Sequence, residues 1–409
     1  MGAAAELGTD IKFDHALSET SDFSTPGPVG CVLHFTHGPP NKPAEQKQVR
    51  VKVGCPVIAC DGAGSRARYA MRHAGLTTFS ENLLDKGYKE VLFPKPEGDG
   101  FGSTGSDGGE PCPGGLGLHI WPRGDHMLMA LANIDGSFTG TIYMKSKGAE
   151  DTFEALEDKG GDAKKCEAFC EKYYADALPH VGGMDKLVGQ IRDNPNGLLG
   201  TVFVDTWAAQ GKILLIGDAS HAMVPFFGQG CNCGFEDVYW LSRLLDEHCG
   251  DGKAGAQSFV SCFKALEEVR KPNADAICNM ALENFVEMRD KTADRKFQAM
   301  KRVENMLENK AAINPEGRKF RSRYAMVCYG GAGNVSYANA YDLGPVTWEI
   351  LEELCSHMDG DEATGNIRND VETQAQIDMV DWTLASKLVD EKLVPELEKL
   401  GMDLTTVKH

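Results

Sequence analysis

KILLIGDASHAMVPFFGQGCNCGFEDVYWL, residues 212–241, decides how the rest of the chain reads. Ile213 to Ile216 is an uninterrupted apolar run, the signature of a strand buried on both faces of a parallel sheet. Gly217 ends the strand and places Asp218 at its carboxyl end, where open α/β sheets bind their ligands. A loop carrying Pro225, Gly228 and Gly230 then feeds a helix expected to start near Cys231. A carboxylate so placed can accept hydrogen bonds from a sugar-like hydroxyl chain. The first amides of the helix, at Cys231 and Asn232, can face an anionic group. An isolated Gly-Asp pair at this position would more simply be a capped turn. The helix carries Phe235, Val238, Leu241 and Leu244 or Leu245 at a spacing that predicts one buried face.

Upstream, IKFDHAL (11–17) reads as a short strand, and VRVKVGCPVIACDGAGSRAR from Val49 as a strand pair closing on a glycine-rich turn at Asp61 to Gly64. YKEVLFP (88–94), LGLHIWP (116–122), HMLMALANI (126–134) and FTGTIYM (138–144) predict a mostly antiparallel sheet, with Met127 and Met129 filling its core or lining a pocket. The Gly-, Asp-, Ser- and Pro-rich stretch 97–117 reads as a surface insertion. Helical periodicity follows from about Asp151 to Leu187, strand character returns at LLGTVFVDTW, and residues 256–310 read as largely helical. From Pro345 the chain is acidic and amphipathic with a break near 360–365. This order predicts an α/β class in which one domain, 1–70 with 206–265, is interrupted by a sheet domain, 71–205, and followed by a helical region, 266–409.

The 409 residues are 42% apolar, enough for sizeable cores, and 42 Lys and Arg against 60 Asp and Glu give a net charge of −18. That charge disfavours nucleic acid and anionic membrane surfaces as partners; the densest basic stretch, Arg318 to Arg323, is short. Thirteen cysteines, an odd number without paired zinc-ribbon spacing, predict reduced thiols, a cytoplasmic setting and no metal. No apolar run approaches the roughly 20 residues that span a bilayer. Gly100, Gly102 and Gly105 fit G-x-G-x-x-G, yet they follow no buried strand, open no helix and stand among Asp99, Asp107 and Glu110; the match reads as accidental.

The 212–241 string resembles the second FAD motif of the flavin-dependent aromatic hydroxylases, and PFFGQG followed by N-x-GFED is similar to those of the kynurenine 3-monooxygenase type. VIACDGAGSRAR (57–68) is similar to their Asp-Gly motif, LHIWPR (118–123) to a strand near the substrate, ENFVEMRDK (283–291) to a helix with a substrate-binding Asn, and RYAMV to the segment with a substrate-contacting Tyr. Without that likeness, Trp121 and His119 read as sheet-face residues, His221 as structural, and Asn284 equally well as a plain exposed helix residue. The resemblance implies a para-hydroxybenzoate hydroxylase-like fold: an incomplete Rossmann-like FAD domain interrupted by the sheet domain, with a C-terminal helical region. It implies FAD as cofactor, NADPH as co-substrate and L-kynurenine as substrate. FAD contacts would be Leu17, Asp61, Gly62, Arg66, Asp218, Gly228, Gly230, Cys231 and Asn232; substrate contacts would be Phe226, Phe227, Asn284, Glu287, Met288 and Tyr324. No side chain is expected to be catalytic, because the flavin and oxygen carry the chemistry.

Family members begin with a βαβ unit bearing the true G-x-G-x-x-G, and their substrate-binding Arg lies there too. This chain is expected to open just after it, as a fragment lacking roughly a hundred residues, about one small domain; weak FAD retention is the corresponding expectation. Arg66 stands where a small polar residue is usual, and Cys231 where Met is. The tail lacks the apolar segment by which animal members attach to mitochondria, which leaves mitochondrial association as the alternative to a purely cytoplasmic setting. The competing functional readings are hydroxylation of another phenol or aminobenzoate, and a non-catalytic remnant binding partners through its acidic helical tail.

Overall fold

The period-two runs become strands and the apolar run at Ile213 becomes the buried strand of a parallel pair. The computed structural model describes residues 2–24, 30–39, 41–95, 118–157, 163–250, 255–292, 294–310, 320–329, 335–358 and 370–402. The whole insertion at 97–117, with the accidental G-x-G-x-x-G, and the break near 360–365 lie outside the described residues. The strands are β1 (His15–Leu17), β2 (Cys31–His37), β3 (Lys47–Val53), β4 (Val57–Ala59), β5 (Phe79–Phe93), β6 (His119–Arg123), β7 (His126–Ala132), β8 (Phe138–Lys145), β9 (Gly197–Val204), β10 (Ala208–Ala209) and β11 (Ile213–Leu215). The helices are α1 (Gly2–Glu6), α2 (Arg66–His73), α3 (Phe153–Leu156), α4 (Lys164–Tyr174), α5 (Leu178–Val181), α6 (Met184–Asp193), α7 (Asp218–His221), α8 (Gly230–Cys249), α9 (Ala256–Val286), α10 (Arg295–Asn309) and α11 (Arg323–Tyr329), with further helices at Tyr337–Leu354, Asp370–Asp378, Trp382–Leu388 and Val394–Lys399.

The chain divides into two compact units, Met1–Asn82 with Thr201–Ala281, and Leu83–Gly200 with Leu282–His409. In the first, β1, β2 and β3 form an antiparallel sheet, while β10, β11 and β4 form another in which β11 runs parallel to β4. Ile213, Leu214 and Leu215 face Val57, Ile58 and Ala59 in register, although β5 to β10 intervene in sequence. All of Ile213 to Ile216 is buried, as an apolar run in a parallel pair requires. β2 escaped the reading of the sequence, because the mixed polar and apolar CVLHFTH is half-buried along almost its whole length and carries little alternation.

The second unit is built on the sheet β6-β7-β8-β5-β9. Along β5, Lys89, Val91 and Phe93 are buried while Glu90 and Leu92 are exposed, the alternation of a sheet wet on one face. Val91, Phe93, Leu128, Ala130 and Ile142 pack from that sheet against Phe153, Phe169, Tyr174, Leu187 and Ile191 of the helices. Met127 is fully buried and Met129 partly so. His119 and Trp121 stay on the sheet face: the Trp121 ring stacks 5.9 Å from Phe93, and His119 meets Phe138 edge-on at 5.5 Å.

One expectation is overturned. Phe235 is 70% and Val238 51% exposed, so they are not on the buried face of α8; that face is Cys233, Asp237, Leu241 and Leu244. The helix is turned by a buried carboxylate, that of Asp237.

Candidate functional site

β4 and β11 end side by side: the Ile216 amide donates to the Ala59 carbonyl at 3.0 Å, and two turns leave their carboxyl ends together. In the first turn Asp61 accepts from the Ser65 hydroxyl at 2.5 Å and from the Ala67 amide at 3.1 Å, and Ser65 caps α2 by accepting from the Arg68 amide. Gly62 takes a left-handed φ of 82° that glycine allows without cost. Arg66 is exposed and pairs with Glu19 at 3.0 Å, which ties the residues just after Leu17 to α2. Arg68, fully buried, donates to the Ala63 carbonyl at 2.6 Å, the Ala219 carbonyl at 2.8 Å and Glu81 at 2.6 Å. One guanidinium therefore joins both turns.

The second turn begins at Gly217, whose φ of 58° and ψ of −145° suit glycine alone. Its amide donates to Asp237 Oδ2 at 2.9 Å, and His221 Nε2 donates to the same oxygen at 2.6 Å. Arg270 Nε, from α9, donates to Asp237 Oδ1 at 2.8 Å, and the same guanidinium reaches Glu236 at 2.8 Å and the Cys233 carbonyl at 3.2 Å. Burial alone would lower the His221 pKa, but the Asp237 hydrogen bond, with Cys233 beside the ring, raises it to about 10, so the imidazole is charged at neutral pH. Burial would likewise raise the Asp237 pKa, and the His221 bond and Arg270 hold it below the usual carboxylate range. Asp237 faces inward because these three donors need it, and that orientation swings Phe235 and Val238 to solvent.

His221, Cys233 and Asp237 bring ligand atoms within 4.8 Å of one another, a metal-like grouping. The positive charge there is already supplied by His221 and Arg270, so the cluster is a buried ion-pair network that clamps the turn.

The clamp leaves Asp218 outward. It is exposed, with no hydrogen-bond or ion-pair partner among the described residues. Phe226 and Phe227 are buried beneath the loop, Gly228 takes a left-handed φ of 67°, and Gly230 opens α8. Cys231 and Asn232 are exposed in its first turn, where amides lack intrahelical acceptors. A Cβ added at Gly234 would lie 3.8 Å from Gly217 Cα, so the helix start abuts the turn. The first unit thus brings together the turns of Asp61, Gly62 and Arg66 and of Asp218, and the start of α8.

Asn284, Glu287, Met288 and Tyr324 belong to the second unit. Asn284 Nδ2 lies 3.6 Å from the Met288 sulfur, Met288 is buried, and Glu287 pairs with Lys301 at 3.5 Å. Glu283 pairs with Arg323, which sets the half-exposed Tyr324 on the segment next to Asn284. A cavity of about 690 Å³ between the β10–β11 hairpin and α9, lined among others by Thr206, Gln210, Lys264, Glu267 and Lys271, contains none of the predicted cofactor or substrate residues.

The reading of the sequence missed Arg68, Asp237 and Arg270. Their signal was faint: an Asp four residues after a buried Cys within an apolar helix, and arginines whose partners lie far along the chain.

Residues 119–276 match a family model described as an FAD binding domain. The chain is 36% identical over 298 residues to a kynurenine 3-monooxygenase of Flavobacterium johnsoniae, covering 73% of this chain and 59% of that protein. It is 38% identical over 307 residues to one from Myxococcus xanthus (75% and 59%), and 34% identical over 342 residues to one from Dictyostelium discoideum (82% and 66%). The chain is a relative of the kynurenine 3-monooxygenases. It spans less than two thirds of the length of these curated relatives. The matched FAD binding domain covers β6 to β11, the glycine turn after β11 and the start of α8. Among the described residues no helix is long and apolar enough to cross a membrane.

Proposed function

We propose that this chain works as an FAD-dependent, NADPH-consuming aromatic monooxygenase that converts L-kynurenine to 3-hydroxykynurenine. The observation that carries the reading is Asp218: a solvent-facing carboxylate without a partner among the described residues, at the end of a buried strand, on a turn fixed from behind by Asp237. The residues fit the cofactor. Asp218 would accept from its hydroxyl chain, the first amides of α8 at Cys231 and Asn232 would face an anionic edge, and Leu17, Asp61, Gly62, Arg66, Gly228 and Gly230 would complete the contacts.

FAD, when bound, supplies the electron transfer and oxygen chemistry. The chain's own tasks are binding, orientation and exclusion of water. Within the first unit, Phe226 and Phe227 would give an apolar floor; within the second, Asn284 and Tyr324 are proposed to hydrogen-bond the amino-acid end of the substrate, with Glu287 and Met288 as further contacts. The cysteines, all free among the described residues, support a reducing cytoplasmic setting; association with mitochondria remains the family alternative.

The test is FAD affinity by flavin fluorescence for the chain and for Asp218→Ala, followed by kynurenine-stimulated NADPH oxidation with product identification. The reading expects Asp218→Ala to weaken FAD binding at least about tenfold, a loss of about 1.4 kcal/mol. Equal affinity would refute the assignment of the turn, and flavin reduction indifferent to kynurenine would redirect the substrate to another phenol or aminobenzoate.

A further inference from the structure

We propose that His15 and His37 form a surface site for an imidazole-preferring divalent transition-metal ion, independent of the flavin reading. His15 in β1 and His37 in β2 are register partners across an antiparallel pair, so both side chains leave the same face of the sheet. Their rings stack with centroids 4.3 Å apart and 29° between planes.

The decisive detail is on the inner edge of each ring. His15 Nδ1 lies 2.6 Å from the Phe13 carbonyl oxygen, and His37 Nδ1 lies 3.1 Å from that of Asp14. A carbonyl only accepts, so in each neutral ring the proton sits on Nδ1 and the Nε2 lone pair is bare. Among the described residues neither Nε2 has a partner. Imidazoles that ligate metals are held this way, with the far nitrogen tied to a carbonyl that fixes tautomer and direction. The backbone enforces it here: Asp14 takes a left-handed φ of 57°, and its carbonyl also accepts from the Gly38 amide at 2.9 Å. Stacking alone would not require both rings to carry the same tautomer.

Two imidazoles suit nickel, zinc or copper, with water completing the shell. Among the described residues no third His, Cys or carboxylate joins the pair as a compact three-ligand group. Lys47 is the next residue in the row, paired with His37 on β3 and exposed; its charge opposes a cation, and its long side chain can turn away.

The probe is Ni²⁺, in equilibrium dialysis against the full chain with its exposed thiols, such as Cys55, Cys60 and Cys231, first alkylated. One nickel ion per chain is expected at this site. His15→Gln and His37→Gln should each weaken binding at least about tenfold, and Lys47→Glu, which leaves both rings in place, should tighten it by a similar factor. Nickel affinity indifferent to His37→Gln, or unchanged by Lys47→Glu, would overturn the proposal.

Discussion

Replacing Asp237 with Asn removes one negative charge from a buried network while leaving the shape of the side chain almost unchanged. The carboxylate accepts from Gly217, His221 and Arg270, and it is fully buried. Removing one partner of a buried pair and leaving the other uncompensated costs about 3–5 kcal/mol. The pKa of His221, which the Asp237 bond and the neighbouring Cys233 raise to about 10 against the cost of burial, points the same way. The depressed Asp237 carboxyl expresses the same contact, so it is counted once. Because the folded-state pKa of His221 is raised, its contribution is complete below pH 6.5 and is lost as pH climbs through about 10. Calorimetry at pH 7 should show the transition of the first unit lowered by roughly 10 °C in Asp237→Asn. Between pH 7 and 10 the wild-type transition should fall, and that of the variant should fall far less. A variant that melts with the wild type, or equal pH slopes in the two proteins, would refute the reasoning.

His126 should give the opposite pH dependence in the second unit: burial lowers its pKa to about 4, so stability is lost as pH falls from 6.5 toward 4, and acid unfolding should be blunted in His126→Gln. Arg68→Met strands Glu81 and two carbonyls, so it should cost about 3 kcal/mol by denaturant midpoint and weaken flavin binding with it; retained affinity would show that the two turns stand without it. Gly140→Ala would push a Cβ against the Phe93 ring and to 2.8 Å from the Val91 carbonyl oxygen, and should cost about 1–3 kcal/mol, read as a lowered midpoint of the second unit.

What could be read from the sequence was whatever is encoded locally. The Ile213 to Ile216 run, the Gly217 turn and the alternation along 88–94 and 126–144 each state their own structure within a few residues, and the strands stand where the pattern puts them. The orientation of α8 was not local. Apolar spacing favoured Phe235 and Val238, but a buried aspartate with three donors from elsewhere in the chain outweighed two aromatic or aliphatic faces, and no window of sequence shows Arg270 next to Asp237. Arg68 was hidden for the same reason, since its acceptors Ala219 and Glu81 become neighbours only when the sheets form.

Arg270 also sets a lower limit on any excised version of this fold. It sits on α9, well past the helix that follows the glycine loop, yet its guanidinium holds the carboxylate that orients Gly217. A piece cut at the natural-looking break after Cys249 would keep every residue of the glycine-rich string and still lose the cation that gives the string its shape. Chimeras and minimal domains built on this chain should therefore carry it through α9.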